Sequence, residues 1–363
     1  MTELPPPPPE QPKDSTIVAQ FDKIQSLITA EFEVKEALVE HGIPTFYVEV
    51  NPDSKQAFTN LVESLANIGF TPVLREKDGK HVLKVAPKPE TKPSRPIINV
   101  VLLLLTIGTV FVTGYYLSVG LEEFGLDPWI GAGTFALALL GILGVHEMAH
   151  KYAANHHKME ASMPYFIPGP PPFLYGIGTF GAVIVQKETA PNRDALFDIG
   201  ASGPIAGFIV TIFVSAIGLA MSPVATMTEP VNGLPISLLF RLLANSIVQA
   251  PGAGNYVIYL HPVAFAGWIG MFITLLNLLP TGMLDGGHTV RSIISKESFR
   301  TVFTLISIIV LLFTGQLLML AFVLFLSMYK HPGPLDDVSK LSFSRKMVAV
   351  LLVVVFALSL SIF

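Results

Sequence analysis

The chain has 363 residues, a formal net charge of -4 and no cysteine. Hydrophobic residues make up 51% of it and charged residues only 14%, against about 25% charged in a soluble domain, and the mean hydropathy is +0.58. That composition excludes an ordinary soluble protein, the charge offers nothing to nucleic acid, and the lack of cysteine excludes disulfides and thiolate metal ligands.

Met1–Asp14 is polar and proline-rich, with an unbroken run at Pro5–Pro9. It predicts a disordered tail, and it has no apolar core of the kind a signal peptide needs, nor the pattern of a transit peptide. Residues 15–87 read as a small soluble α/β domain. Ile17–His41 has helical periodicity, with Gly42 placed to end it. Thr45–Val50 alternates like a strand, and Asp53 can cap a helix running to about Asn67. Pro72–Glu76 and Lys80–Val85 flank Asp78-Gly79, a hairpin signal. His41 and His81 read as ordinary surface histidines. Residues 88–96 form a basic, proline-rich linker, and 97–363 form a membrane domain.

A hydrocarbon core takes about 20 apolar residues to cross. Ile97–Ser118, Trp129–Ala153, Ile199–Ser222, Pro262–Leu284 and Thr301–Met328 qualify, and Met347–Phe363 is a shorter sixth. The expected fold is a polytopic α-helical membrane protein of about six transmembrane helices with a small soluble α/β N-terminal domain. Lys84, Lys88, Lys92 and Arg95 precede the first span and place the N-terminal domain in the cytoplasm. The loop with Glu122, Glu123 and Asp127 faces outward. Lys151, Lys158, Lys187 and Arg193 return to the inside, as do Arg291, Lys296 and Arg300. One span at Thr301–Met328 would leave Lys330, Lys340, Arg345 and Lys346 outside. A re-entrant hairpin breaking at Gly315-Gln316 would bring them in.

The second span ends in His146-Glu147-Met148-Ala149-His150. In this H-E-x-x-H pattern two histidines four apart share one helix face and can clasp a zinc ion, while the glutamate between them can act as general base. No charged residue lies between Trp129 and Val145, so the motif sits at the end of a membrane span, with His146 ~25 Å along it. A catalytic zinc takes a third protein ligand and keeps one position open. The inner end of span four supplies Asp285 at a matching depth, next to Pro280, Gly282, Gly286 and Gly287, which break the helix. A carboxylate on irregular backbone at membrane depth marks a functional site. Glu160 and His288 are weaker third ligands. His156 and His157 read as interfacial side chains, and Gly203 and Gly207 as close helix packing. Ile236–Val248 reads as a helix lying flat on the outer surface. Pro164–Val185 is apolar but too rich in proline and glycine for a helix. It reads as a re-entrant loop or hairpin beside the zinc, able to hold an unwound substrate by strand addition.

HEMAH at the end of one span, Asn277-Leu278-Leu279-Pro280-Thr281-Gly282-Met283-Leu284-Asp285-Gly286-Gly287 at the end of a later one, and Gly203-Pro204-x-x-Gly207 between them resemble the site-2 protease family of intramembrane zinc metalloproteases. The N-terminal domain and Pro191–Asp198 look more like its prokaryotic and chloroplast branch. The resemblance covers most of Ile97–Phe363. It implies one catalytic Zn2+ held by His146, His150 and Asp285, Glu147 as catalytic base, and Asn277 binding substrate or stabilising the oxyanion. It also implies hydrolysis of peptide bonds in or near transmembrane segments of membrane-protein substrates. The protein would be multi-pass in the cell membrane, with its active-site side cytoplasmic and the lipid bilayer as its surroundings. Two rivals are a catalytically inactive relative that binds membrane segments and a membrane metal transporter. Intact Glu147 argues against the first, and ligands near one membrane edge argue against the second.

Overall fold

The computed structural model describes residues 20–362, apart from 52, 92, 94, 175, 227–232, 250–255, 296, 314–319, 322 and 326–331. The expected tail over 1–14 and the expected break at Gly315-Gln316 lie outside the described residues. The chain divides into two compact units. The first comprises residues 1–91, 191–193 and 334–340, and the second comprises 92–190, 194–333 and 341–363.

In the first unit, helices α1 (Phe21–Glu31) and α2 (Ser54–Ala66) accompany strands β1 (Val34–Glu40), β2 (Ile43–Val48), β3 (Phe70–Lys77) and β4 (Lys80–Pro87). The strands form an antiparallel sheet in the order β1-β2-β4-β3. Ile24 and Ile28 of α1, and Phe58, Leu61 and Leu65 of α2, recur at helical spacing and are wholly buried with Phe46, Leu74 and Leu83 of the sheet. The helix expected over Ile17–His41 stops at Glu31, and Val34–Glu40 is a strand. Lys35-Glu36-Ala37-Leu38 is competent for helix, but pairing with β2 overrides that preference. His41 and Gly42 both have positive φ (53° and 78°), like Asp78 and Gly79 (52° and 74°). That is the backbone of a two-residue hairpin whose twist matches its strands.

The outer edge of β3 is closed by the later segment of the same unit. The Leu74 N–H donates to the Leu335 carbonyl (2.9 Å) and the Asp337 N–H donates to the Leu74 carbonyl (3.2 Å). Leu335 joins the core at 8% exposure, and the Asp336 N–H bonds to the Pro191 carbonyl.

The second unit holds α3 (Pro96–Val119), α4 (Pro128–His156), β5 (Tyr165–Pro168), β6 (Thr179–Val183), α5 (Arg193–Ala220, its first residue in the other unit), β7 (Val224–Thr226), β8 (Ile236–Ser237), α6 (Leu238–Ile247), β9 (Tyr256–Ile258), α7 (Pro262–Asn277), α8 (Asp285–Ile293), α9 (Glu297–Phe313), α10 (Phe343–Ser359) and β10 (Ser361–Ile362). Among the described residues three helices, α3, α4 and α5, are long and apolar enough to cross a membrane, with mean hydropathies of 2.3, 1.8 and 2.0. The span expected over Pro262–Leu284 is helical only to Asn277. Pro280 cannot continue a helix, and Gly282 takes a left-handed φ of 57°. Helix α5 begins six residues before the expected Ile199, so Asp194 and Asp198 stand in its first turns. Helix α6 buries Phe240 and Ala244 and exposes Arg241 and Asn245. The two residues before it pair with β10.

The β5–β6 hairpin is pegged along α3. Asn99 Nδ2 donates to the carbonyls of Met163 (2.8 Å) and Pro164 (3.0 Å), and Thr109 Oγ1 donates to the Gly178 carbonyl (2.6 Å). At the tip the Phe173 ring rests against Tyr116, with centroids 5.4 Å apart. Gly178, at φ +84°, lies so close to α3 that a Cβ would meet Thr113 Oγ1 at 2.6 Å.

Candidate metal centre

Helix α4 starts at Asp127, whose side chain accepts the N–H groups of Trp129 and Ile130, with Pro128 as the first helical residue. Eighteen residues on, or ~27 Å at 1.5 Å each, its buried face carries His146, Glu147 and His150, at 4%, 7% and 5% exposure. Asp285 arrives from α8, whose first turn packs on the end of α7. A Cβ on Gly286 would lie 2.4 Å from the carbonyl oxygens of Leu278 and Leu279. The two glycines after Asp285 therefore let that turn close, and the turn carries the carboxylate inward.

Three ligand atoms converge. His146 Nε2 and His150 Nε2 are 3.1 Å apart, and Asp285 Oδ2 is 3.2 Å from each. His150 Nδ1 is 2.6 Å from the Ile199 carbonyl. A carbonyl only accepts, so Nδ1 carries the proton and Nε2 presents a lone pair to the triangle. A cation lying among these two nitrogens and the carboxylate oxygen would be held by all three. A tetrahedral ion with bonds of about 2.0–2.1 Å holds its ligand atoms about 3.3 Å apart. The donor set, its spacing, the buried Glu147 and the half-buried Asp285 all fit zinc.

Glu147 stands outside the triangle. Its carboxylate faces the backbone N–H of Ile184, which directly follows β6. Asn277, the last residue of α7, brings its Nδ2 to 3.2 Å from His146 Nε2, on the rim of the site. Glu160 is exposed and pairs with Lys187 at 3.2 Å. His288 lies on α8 one turn from Asp285.

Helix α5 forms the wall behind the histidines. A Cβ on Gly203 would lie 2.1 Å from His150 Nε2, and one on Gly207 would lie 3.0 Å from His146 Nδ1. The glycine pair thus packs on the two histidines themselves. Sequence reading missed Ile199, Asp198 and Arg345. His157, read as interfacial, brings Nε2 within hydrogen-bonding distance of Asp198 Oδ2, at 2.8 Å.

A His–His–carboxylate tripod with a free glutamate beside it, buried at the end of an apolar helix, has the make-up of a metallohydrolase centre in a membrane protein. The family model for peptidase family M50 matches residues 134–322, just over half of the sequence, and the chain belongs to that family. The resemblance to the site-2 protease family therefore stands. The chain is 33% identical over 182 residues to the probable zinc metalloprotease EGY1, chloroplastic, of Arabidopsis thaliana, covering 48% of this chain and 32% of that one. It is 31% identical over 168 residues to the EGY1 of Oryza sativa subsp. japonica (45% and 28%). It is 26% identical over 252 residues to the probable zinc metallopeptidase EGY3, chloroplastic, of Arabidopsis thaliana (60% and 41%). The chain spans less than half the length of these relatives. No solved structure matches it.

Proposed function

We propose that this chain is an intramembrane zinc metalloprotease that hydrolyses peptide bonds in or near transmembrane segments of membrane proteins. The observation that carries the reading is the meeting of His146 Nε2, His150 Nε2 and Asp285 Oδ2 at 3.1–3.2 Å, with Glu147 beside them. Zinc, when bound, supplies a Lewis acid that brings the pKa of a water to about 7 and polarises a carbonyl.

The chain's own residues do the rest. Glu147, which faces the Ile184 N–H, takes the proton of the attacking water and hands it to the leaving amine. The Asn277 amide donates to the oxygen of the scissile carbonyl as negative charge develops there. A helical substrate hides its carbonyls in its own hydrogen bonds and must unwind before attack. Strand β6 has one neighbouring strand among the described residues and runs straight to Ile184 beside Glu147. An unwound segment added to its other side would be led to the metal.

The domain scheme remains part of this reading, with a soluble domain over 15–87, a linker over 88–96 and a protease domain from 97 onward. The count of about six spans remains part of it too. Arg345, at the start of α10, bonds to Asp198 and Asp194 at the start of α5, so both helices begin on one side. By the same reading Arg345 and Lys346 lie with the other basic residues, in the cytoplasm. The word chloroplastic in the relatives' names describes those proteins.

Purified full-length chain in detergent or vesicles, given single-span substrates, tests the reading. Wild type cleaves and a chelator stops it. Glu147→Gln keeps zinc and loses cleavage. Wild-type protein that holds zinc and binds but never cuts such substrates is the inactive relative, and zinc flux across vesicles is the transporter.

A further inference from the structure

His150 is oriented by a helix other than its own. The carbonyl that receives its Nδ1–H belongs to Ile199 of α5, and α5 meets α4 through glycines, with Gly203 and Gly207 facing the two histidines. Such a contact is smooth. It admits close approach, and side-chain packing between the two helices is concentrated nearer their shared end, where Ala153 and Ala154 of α4 meet Ala195, Leu196 and Ile199 of α5. A slip of one residue along the axis is ~1.5 Å, enough to carry the Ile199 carbonyl out of hydrogen-bonding range of His150.

Directional polar contacts add to that packing, and the residue before Ile199 is gripped from two sides. His157, the C-cap residue of α4, brings Nε2 to 2.8 Å from Asp198 Oδ2. Arg345 of α10 donates from Nε to Asp198 Oδ1 at 2.7 Å and from Nη2 to Oδ2, a two-pronged fork. Its remaining nitrogen, Nη1, reaches Asp194 Oδ2 at 3.1 Å and Ser342 Oγ at 2.9 Å. These groups are half-buried, with side-chain exposures of 15% for His157, 27% for Asp198 and 24% for Arg345, so water screens them less than a surface pair. Arg345 lies beyond the residues 134–322 matched by the family model.

We infer that Asp198, locked by Arg345 and His157, is a positioning residue for His150. It holds α5 in the register at which the Ile199 carbonyl takes the Nδ1–H, leaving Nε2 aimed at the metal. Partners one step behind a metal ligand commonly change affinity 10- to 100-fold when lost. The inference rests on His150 being a ligand, and Asp194 supplies an internal control. Asp194 shares Arg345 and accepts the Ser342 N–H (3.0 Å), but it lies more than a turn before Ile199.

The test is a competitive chelator titration of zinc on the full-length protein, with thermal stability measured alongside, for His150→Ala, Asp198→Asn, Asp194→Asn, Arg345→Ala and Arg345→Lys. The expected result is zinc binding at least about 10-fold weaker in Asp198→Asn and Arg345→Ala. Asp194→Asn should keep wild-type affinity whatever its stability. Arg345→Lys restores the charge without the fork and should not rescue affinity, whereas a role in charge balance alone would be rescued. If His150→Ala loses zinc while Asp198→Asn keeps it, the positioning role is overturned and the ligand assignment survives. Equal losses in Asp194→Asn and Asp198→Asn would also overturn it, by making the cluster a general fastening. If His150→Ala itself binds zinc as wild type does, the ligand reading fails and takes this inference with it.

Discussion

The ring of Phe173 rests on that of Tyr116, 5.4 Å between centroids, near the far end of the helix whose third turn begins only a few residues after Asn99. Asn99 holds the other end of the same hairpin through Met163 and Pro164. Seventeen residues separate the two anchors along Pro96–Val119, ~25 Å of helix. The hairpin therefore runs along most of an apolar helix, with Thr109 pinning it midway. In the proposed reading this is the element that holds an unwound substrate.

Breaking the inner anchor should thus harm substrate handling more than the metal site. Asn99→Leu leaves two carbonyls without their donor, at about 1–3 kcal/mol each when buried. Zinc content should stay at the wild-type level while KM for a single-span substrate rises. A variant with lost zinc and unchanged KM would contradict the separation of the two roles.

The wall behind the histidines makes a steric prediction. Gly203→Ala places a methyl where His150 Nε2 stands, at 2.1 Å, and Gly207→Ala places one 3.0 Å from His146 Nδ1. The first substitution should reduce zinc affinity by about 10-fold or more, since it displaces a ligand directly. The second should cost less, because a shift of a few tenths of an ångström relieves it. Metal analysis of the folded variants ranks the two, and the reverse order would contradict the packing.

Much of this centre was legible from residue order alone. The H-E-x-x-H pattern puts two histidines on one helix face with a glutamate between them because helical spacing is rigid. The depth of Asp285 followed from counting residues, and its turn from Pro280 and the glycines. What could not be read is whatever depends on partners far along the chain. Asp198 and Arg345 are 147 residues apart, and neither shows its partner in its local sequence. Gly203 and Gly207 announced close packing but not what they pack on. In the N-terminal unit Val34–Glu40 was misread as helix, because its residues suit a helix and the hairpin turn at His41-Gly42 lacks the usual Asn or Asp.

Leu335 is a further case, a residue far from the N-terminal domain in sequence that lies in its core at 8% exposure. Leu335→Ala should destabilise that unit by about 2–3 kcal/mol, the lower part of the range for such truncations. Hydrogen exchange at the buried strands, Leu74 and Leu83 among them, should quicken accordingly in the full-length protein. Unchanged protection there would mean that the contact contributes little to the fold.

The most direct measurement of the central claim is zinc stoichiometry in purified Asp285→Ala, Glu160→Ala and His288→Ala. The histidine pair keeps two donors in every variant, so the third ligand alone is in question. Asp285 Oδ2 lies 3.2 Å from both histidine nitrogens, while Glu160 is exposed and paired with Lys187. The account predicts that Asp285→Ala loses most of its zinc. Glu160→Ala should retain one ion per chain, and His288→Ala should retain it with at most a modest loss of affinity. Stoichiometric zinc in Asp285→Ala, with loss in either of the others, would contradict it.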